Sequence, residues 1–315
     1  MKIRKLGTTD LTVPPVMLGG NVYGWTLSEA DSLRQLDRAF DAGLNFIDTA
    51  DLYSRWVPGH SGGESESIIG KWFAASGKRN RVVLATKVGM DMGGGRVGLA
   101  ASYIVKAVED SLRRLQTDYI DLYQSHQDDP QTPPEVTLGA YQKLIEQGKV
   151  RYVGASNYSA ARLREAMEAG RQPGNASYVT LQPHYNMMER TAYEATLAPV
   201  VAEYGLAVIP YFSLAAGFLT GKYRKPADTA GKARGGMVGR YLNERGFRVL
   251  AALDEVAART GASVASVALA WLIARPAVTP IASATSDAQL RDLIAAADLA
   301  LDADAIAQLD AASAA

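Results

Sequence analysis

Eight short apolar runs recur along the chain, each separated from the next by a longer amphipathic stretch. The runs are Val16–Gly20, Asn45–Ala50, Val82–Gly89, Ile120–Gln127, Val150–Asn157, Tyr178–Asn186, Ala207–Leu214 and Ala277–Ala284. Short apolar runs of this kind are typical of strands that are buried on both faces of a parallel sheet. The alternation therefore restricts the fold to an α/β class built from strand–helix units.

The stretches between these runs show the pattern of amphipathic helices. Ser102–Leu115 is predicted to turn Val105, Val108 and Leu112 toward the core. Further helices are predicted at Glu135–Gln147, which stops at Gly148, at Ser159–Ala169, which opens on a capping serine, and from Ser286, which has capping-box spacing with Gln289.

Eight strand–helix units in 315 residues predict a (β/α)8 TIM barrel, with an open doubly wound sheet as the alternative. No GxGxxG sequence follows the first strand, which disfavours the open dinucleotide-binding sheet. The segment Met1–Val16 predicts a short N-terminal β-hairpin around Gly7–Asp10. We expect residues 1–315 to form one barrel domain, because a chain with 48% hydrophobic residues can bury one large core.

Composition narrows the possible partners. The 33 basic and 33 acidic residues balance without forming a basic stripe, so neither nucleic acid nor an anionic membrane is expected as a partner. The chain has no cysteine, which excludes disulfides and thiol catalysis. No apolar run reaches the length of a membrane span, and the first residues lack a signal-peptide core. We expect a cytoplasmic protein, a monomer or a weak homo-oligomer, that acts on a small molecule.

Polar side chains occur at the C-terminal ends of most of the apolar runs. In TIM barrels the active site lies at the C-terminal ends of the strands, so these side chains are the candidates for chemistry. They are Asp48, Lys87, His126, Ser156, Asn157, Gln182 and Tyr211, and Tyr53 follows in the loop after the second run. The sequence predicts that they meet on one rim of the barrel.

Four of these side chains can act together as a proton donor. A tyrosine is a poor acid at neutral pH, and we expect the ammonium group of Lys87 to lower the pKa of Tyr53. Asp48 is expected to keep a buried Lys87 charged, and His126 to orient a carbonyl oxygen through a hydrogen bond. Each residue alone has an ordinary structural explanation, but the set indicates general acid catalysis at a carbonyl group.

Six ordered blocks of sequence carry a resemblance to one family. They are Gly43–Tyr53 (GLNFIDTADLY), the pair Thr86–Lys87, Gln124–His126, Gly148–Asn157 (GKVRYVGASN), Gln182–Asn186 (QPHYN) and Tyr211–Lys222 (YFSLAAGFLTGK). Over essentially its whole length the chain resembles the aldo-keto reductases. The resemblance implies reduction of aldehydes and ketones with NADPH, or with NADH, and the reverse oxidation of alcohols. It also implies that Tyr53 donates the proton, that Lys87 and Asp48 tune it, and that His126 positions the carbonyl.

The same resemblance implies a site for the nicotinamide cofactor. Ser156, Asn157 and Gln182 match positions that hold the carboxamide, and Tyr211 matches the ring that stacks under the nicotinamide. The pyrophosphate segment is matched by Ser213, Leu214, Gly217, Leu219 and Lys222, and the adenosine end by Ser283, Thr285, Gln289 and Asp292. Ser283 and Thr285 precede a predicted helix N-terminus, where an anion is favoured.

One stretch departs from the family pattern. Leu293 stands where an asparagine that contacts adenine is usual, and Ser283–Gln289 contains no lysine or arginine. A cation for the 2′-phosphate of NADPH must then come from elsewhere, and Arg234 in the Gly-rich loop Lys222–Arg240 is the candidate. The middle of that loop is compatible with a mobile connector or with a cofactor lid.

The substrate is the least readable feature of the sequence. Tyr23, Trp25, Trp56 and Gln127 are predicted to line an amphipathic pocket that suits a hydroxylated or aromatic carbonyl compound. The long loop Tyr53–Glu66 is expected to set substrate choice, as variable loops do in barrel enzymes. No cluster of arginines marks an anionic substrate.

Two other functions stay open at this point. Some proteins that resemble aldo-keto reductases serve as cofactor-binding, redox-sensing partners of membrane channels, and an intact catalytic set does not exclude that role. A metal- or phosphate-dependent barrel enzyme would need carboxylates or histidines clustered on the rim, where only Asp48 and His126 are expected. The other histidines, His60 and His184, are scattered in the sequence, so no metal site is predicted.

Overall fold

Eight parallel strands form one sheet in which spatial neighbours follow the order of the chain. The computed structural model describes residues 1–314. The strands are β3 (Met17–Gly19), β4 (Phe46–Asp48), β5 (Val83–Val88), β6 (Ile120–Ser125), β7 (Val150–Ser156), β8 (Tyr178–Gln182), β9 (Ala207–Val208) and β10 (Ile281–Ala282), preceded by a pair, β1 (Arg4–Lys5) and β2 (Thr12–Val13).

The two ends of the eight-stranded sheet meet. The amide of Val208 donates to the carbonyl of Ala277 across 2.9 Å, and the amide of Thr279 donates to the carbonyl of Val208 across 2.8 Å. On its other side, β10 pairs in parallel with β3. The sheet is therefore closed, which confirms the predicted (β/α)8 barrel and excludes the open sheet.

Helices lie between the strands and cover the outside of the barrel. They are α1 (Glu29–Asp41), α2 (Glu64–Ser76), α3 (Ala101–Leu115), α4 (Pro134–Glu146), α5 (Ala160–Ala169), α6 (Arg190–Ala192), α7 (Ala198–Tyr204), α8 (Gly235–Val238), α9 (Glu244–Thr260), α10 (Val264–Ile273), α11 (Asp287–Asp298) and α12 (Ala303–Ser313). The main apolar core fills the space between sheet and helices. Ser159 and Ser286 cap α5 and α11 with their side chains, as predicted.

The phase of α3 differs in part from the prediction. Val108 and Leu112 are buried as expected, but Val105 is 44% exposed. Ile104 takes the inward position instead, because residues four apart lie above one another on a helix and Ile104, Val108 and Leu112 form that row. The prediction for Val105 was therefore wrong by one residue.

Several strands are shorter than the apolar runs that predicted them. The run Ala207–Leu214 supplies only β9, and the run Ala277–Ala284 supplies only β10. Pro210 and Pro280 interrupt these runs, and a proline has no amide to continue a ladder, although both carbonyls still accept hydrogen bonds from the next strand. The residues beyond each strand are thus free to form the rim of the barrel.

The N-terminal hairpin is confirmed, since β1 and β2 pair antiparallel. Leu6, Leu11 and Val13 pack with Phe46 and Leu122, which point into the barrel, in a second apolar cluster. The hairpin therefore packs over the N-terminal end of the barrel. Within residues 1–314 no single helix has both the length and the apolar composition needed to span a membrane. The helices α9 and α10 have them only when they are counted together, and the two are bent by 94° relative to each other.

Candidate active site

A cavity of about 960 Å³ opens at the C-terminal ends of the strands. The predicted site residues in its wall are Asp48, Tyr53, Trp56, His126, Gln127, Ser156, Asn157, Gln182, Tyr211, Ser213, Leu214, Gly217, Lys222, Arg234, Ser283, Thr285, Gln289 and Asp292. Lys87 lies behind this wall with no exposure to solvent. The structure thus brings together predicted side chains from the ends of seven strands, β4 to β10, and from the loop before α8.

Lys87, in β5, uses every proton of its ammonium group. Its Nζ lies 2.7 Å from Asp48 Oδ1, donates to the hydroxyl of Tyr53 across 2.8 Å, and donates to the carbonyl of Thr49 across 2.7 Å. Burial lowers the pKa of Lys87, and the carboxylate of Asp48 opposes that effect. Three acceptors around one nitrogen fix Lys87 as a donor that points at the oxygen of Tyr53.

Tyr53 does not show the lowered pKa that the sequence predicted. Its hydroxyl donates to Asp48 Oδ2 across 2.9 Å, and burial together with the charge of Asp48 raises the pKa of Tyr53 well above its usual value. Arg234 is the group that opposes this shift. The phenol therefore keeps its proton at neutral pH, which is the state that a proton donor requires.

His126 follows β6 and faces the tyrosine, with 6.0 Å between the two ring centres. Burial lowers the pKa of His126 well below its usual value, and the charge of Lys87 lowers it further. The imidazole is therefore neutral at physiological pH. Its Nδ1 is buried and has no hydrogen-bond partner within residues 1–314. His126 also lines the cavity.

Beside these four residues lies a platform of hydrogen-bonded side chains, formed by Ser156, Asn157, Gln182 and Tyr211. Tyr211 donates from its hydroxyl to Asn157 Oδ1 across 2.8 Å, and Asn157 donates from Nδ2 to the carbonyl of His126 across 2.9 Å. Gln182 Nε2 donates to Asp48 Oδ1 across 3.1 Å, and Ser156 Oγ donates to the carbonyl of Gln182 across 2.8 Å. The residues predicted to hold a nicotinamide are thus tied to Asp48 and His126.

The segment after β9 turns sharply under the cavity. Phe212, Ala215 and Ala216 all have positive φ angles, and Gly217 has a φ of 101°. Such a run of left-handed residues places backbone close to the cavity in a shape that a regular strand or helix does not provide. Leu219 departs from the prediction, since its side chain is fully buried in the core and does not reach the wall.

Three cations line the cavity near this segment. Lys222, Lys232 and Arg234 make no ion pair with another residue of the described chain, 1–314. Partial burial lowers the pKa of Lys222, and the positive charges of Arg234 and Lys232 lower it further. Lys232 was missed by the sequence prediction, because the Gly-rich loop that carries it has no periodicity to orient its side chains.

Arg234 lies at the reacting end of the cavity. Its guanidinium stands 5.4 Å from the centre of the Trp25 ring, and burial lowers its pKa while Tyr53 and Tyr223 oppose that shift. Arg234 therefore lies near Trp25 and Tyr53.

The far end of the cavity is formed by the start of α11 and the strand before it. Thr285 donates from its amide to Gln289 Oε1 across 2.8 Å, and Ser283 donates from Oγ to Asn21 Oδ1 across 2.6 Å. Asn21 lines the cavity and was missed, although it follows the first apolar run directly and the strand-end rule could have found it. Gly19 packs so closely here that a Cβ on it would lie 2.5 Å from Ser283 Oγ.

The structure places only part of the predicted substrate pocket in the wall of the cavity. Trp56 and Gln127 line the cavity, together with Leu52 and Met90, which the sequence prediction missed. The ring of Tyr23 is fully buried in the core, because the turn after β3 directs it inward. Trp25 lies behind Trp56, with 5.4 Å between ring centres, and faces a neighbouring cleft instead.

The family model described as "Aldo/keto reductase family" matches residues 15–314. The chain belongs to the aldo/keto reductase family. It is 36% identical to "Uncharacterized oxidoreductase YrpG" of Bacillus subtilis, over 98% of this chain and 95% of the relative. It is 32% identical to "Probable voltage-gated potassium channel subunit beta" of Oryza sativa, over 95% and 92%, and 31% identical to "L-glyceraldehyde 3-phosphate reductase" of Escherichia coli, over 98% and 92%.

Membership of this family makes the protein an oxidoreductase that acts on carbonyl groups. The cavity of this aldo/keto reductase has the features that a nicotinamide dinucleotide requires. Asn157, Gln182 and Tyr211 form a polar and aromatic platform at one end, and unpaired cations follow it. No group of three His, Cys, Asp or Glu side chains within residues 1–314 is placed to hold a metal ion.

Asp51 is a further buried acidic residue close to the candidate active site. Asp51 follows β4, is 2% exposed, and neither of its carboxylate oxygens has a hydrogen-bond partner within the described residues. Burial and the neighbouring Glu66 raise the pKa of Asp51 to about 8, while Arg114 and Lys87 oppose the shift. Asp51 therefore carries its proton at neutral pH, and the sequence prediction gave it no role.

Proposed function

We propose that this reductase catalyses the reversible, NADPH-dependent reduction of an aldehyde or ketone to the alcohol, with Tyr53 as the proton donor. The observation that carries the proposal is the arrangement of Tyr53. Its oxygen receives a hydrogen bond from the fully buried Lys87 and lies at the surface of a cavity that His126 also faces. A protonated phenol backed by an ammonium group is suited to general acid catalysis at a carbonyl oxygen.

The residues of the chain then perform the following steps. His126, which is neutral, holds the carbonyl oxygen near Tyr53 through a hydrogen bond, and the phenol transfers its proton to that oxygen. A reduced nicotinamide bound on the platform would supply the hydride to the carbonyl carbon. The phenolate left behind is stabilised by the ammonium of Lys87, which already donates to the same oxygen. In alcohol oxidation the same groups act in reverse.

NADPH is the proposed cofactor, and NADH is the alternative. NADPH carries a further phosphate, and the cavity contains three unpaired cations, Lys222, Lys232 and Arg234. We propose that Arg234 and Lys222 meet the pyrophosphate, which both cofactors share, and that Lys232 is left to meet the further phosphate of NADPH. Ser283, Thr285, Gln289 and Asp292 would then surround the adenosine, at the N-terminus of α11.

The substrate-binding part of the cavity suits a carbonyl compound with an apolar or aromatic body. Leu52, Trp56 and Met90 supply apolar surface near Tyr53, and Gln127 supplies a polar group. Trp56 is 46% exposed, so one side of its ring is open to a ligand. These features support the hydroxylated or aromatic carbonyl compounds that the sequence predicted.

A second candidate function is supported by the names of two relatives. The protein of Oryza sativa that resembles this chain is named as a probable subunit of a potassium channel. A comparable role here would combine cofactor binding with little turnover and an association with a membrane protein. The arrangement of Asp48, Tyr53, Lys87 and His126 is compatible with such a role, because a protein that binds a cofactor with little turnover can retain an intact catalytic set.

A cofactor titration followed by a turnover assay tests the proposal. Protein fluorescence would be recorded against NADPH and NADH, and the absorbance of the reduced nicotinamide would then be followed with a panel of aromatic, aliphatic and hydroxylated aldehydes. We expect tight NADPH binding and its oxidation by some of these aldehydes. Binding without turnover in either direction would support the second function, and the lack of binding would refute both.

A further inference from the structure

The ring of Tyr211 stacks against the imidazole of His184. The two ring centres are 5.2 Å apart and the planes differ by 16°, which is a stacked geometry. Tyr211 lines the cavity and His184 does not. The imidazole therefore packs against the ring of Tyr211 from outside the cavity wall, while Tyr211 itself lines the cavity.

The backbone holds these two rings in register. His184 and Tyr211 form a parallel bridge just beyond β8 and β9, and the amide of Tyr211 donates to the carbonyl of Pro183 across 3.0 Å. Side chains at paired positions of parallel strands point to the same side of the sheet, so the stack follows from the pairing. The backbone pairing therefore fixes the position of the Tyr211 ring relative to the strands without any bound ligand.

The imidazole has no competing task within the described chain. Its Nε2 is buried and has no hydrogen-bond partner among residues 1–314, and no catalytic step above uses it. Burial lowers the pKa of His184, although Glu189 opposes that shift, so the ring is neutral at neutral pH. The edge of Phe212 packs against it, with 5.6 Å between ring centres. The ring is thus held in place by packing alone.

We propose that His184 is a positioning residue that sets the height and tilt of Tyr211 under the nicotinamide. The inference rests on the proposed function, because it assumes a cofactor in the cavity against the ring of Tyr211. The hydroxyl of Tyr211 is fixed by Asn157, which also binds the carbonyl of His126. A change in the tilt of Tyr211 is therefore transmitted to the residue that orients the carbonyl oxygen.

The experiment compares a flat replacement with a branched one. His184→Phe retains a planar ring and His184→Leu does not. NADPH affinity would be measured by fluorescence titration, and hydride transfer by single-turnover stopped flow with an aldehyde that the wild-type protein reduces. We expect His184→Leu to lower the transfer rate by about threefold to tenfold, as the loss of one aromatic contact would, with little change in KM for the aldehyde.

His184→Phe should return the rate to within about twofold of the wild-type protein, since stacking needs only a planar ring. Equal rates for the wild-type protein and His184→Leu, or equal losses in both variants, would overturn the inference. His184→Gln, which is polar but not aromatic, replaces His184→Leu if that variant does not fold. Failure of the wild-type protein to bind NADPH would instead count against the proposed function.

Discussion

Lys87 donates a hydrogen bond to the oxygen of Tyr53 across 2.8 Å, from a side chain that has no exposure to solvent. The charge of Lys87 is balanced by Asp48, whose Oδ1 lies 2.7 Å from Nζ. One buried ion pair thus serves both the chemistry of the phenol and the stability of the barrel. The two consequences can be separated by substitution.

Tyr53→Phe removes the acidic hydroxyl and leaves the ring in place. We expect kcat for aldehyde reduction to fall by about a hundredfold to ten-thousandfold, with NADPH affinity nearly unchanged. Steady-state kinetics and a fluorescence titration would measure the two quantities. The matched control is Tyr23→Phe, since the hydroxyl of Tyr23 is buried without a partner and the ring does not line the cavity. Unchanged turnover in Tyr53→Phe would refute the proposed mechanism.

Lys87→Met leaves Asp48 buried without its partner. Removal of one member of a buried pair typically costs about 3–5 kcal/mol of folding free energy, so urea unfolding should show a large loss of stability together with a loss of activity. The double variant Asp48→Asn with Lys87→Met removes both charges and should recover much of the stability but none of the activity. Equal stability of the single and double variants would contradict this account of the pair.

The two directions of the reaction should differ in pH dependence. Burial and Asp48 raise the pKa of Tyr53, so the phenol is protonated through the neutral range and the rate of reduction should be level there. Oxidation needs Tyr53 to accept a proton, and its rate should therefore rise as the pH rises. His126 is neutral throughout this range, because its pKa is lowered, and should add no step. Profiles of kcat in both directions would show a sigmoid drop of reduction near pH 6.5 if the imidazole titrated there instead.

Arg234→Ala should weaken NADPH and NADH to a similar degree. The guanidinium lies at the reacting end of the cavity, where both cofactors carry the same groups, and loss of one charged contact to a phosphate typically lowers affinity by about tenfold. Lys225→Ala, an exposed lysine in the same loop that does not line the cavity, is the control. If the affinity for NADPH alone fell, Arg234 would instead be assigned to the 2′-phosphate.

Asp51→Asn should change how stability depends on pH. The pKa of Asp51 is raised from 3.8 to about 8 in the folded protein, so the unfolded chain releases this proton at lower pH and stability falls as the pH rises between those values. An asparagine cannot ionise and avoids this loss. The gain in stability of Asp51→Asn over the wild-type protein, measured by urea unfolding, should be larger at pH 8 than at pH 5. Equal differences at both pH values would show that Asp51 ionises normally.

The barrel, and the position of several polar residues on its rim, could be predicted from the sequence because both follow from the order of apolar and polar residues along the chain. Apolar runs define the strands, and the position of a polar residue at the end of a run places it on the rim, as with Asp48 and His126. The direction of the pKa shift of Tyr53 was not readable, because it depends on burial and on which oxygen of Asp48 the phenol contacts.

Side chains outside the strand ends were harder to place. Arg234 and Lys232 belong to a loop without periodicity, and the path of that loop decides which end of the cavity each one reaches. Tyr23 and Trp25 are two residues apart, yet one ring enters the core and the other faces a second cleft, since a tight turn follows β3. Such turns depend on packing partners that lie far away in the chain.

Gly19 and Ser283 line the same stretch of the cavity, and a Cβ on Gly19 would lie 2.5 Å from Ser283 Oγ. The residues that are tolerated at position 19 therefore depend on the residue at position 283. Alanine at position 19 requires Ser283 Oγ to move away and also places its Cβ 3.1 Å from Ile281 Cγ2, so a scan that changes one position at a time would find position 19 intolerant. Pairwise libraries at 19 and 283 are the route to a reshaped cofactor channel.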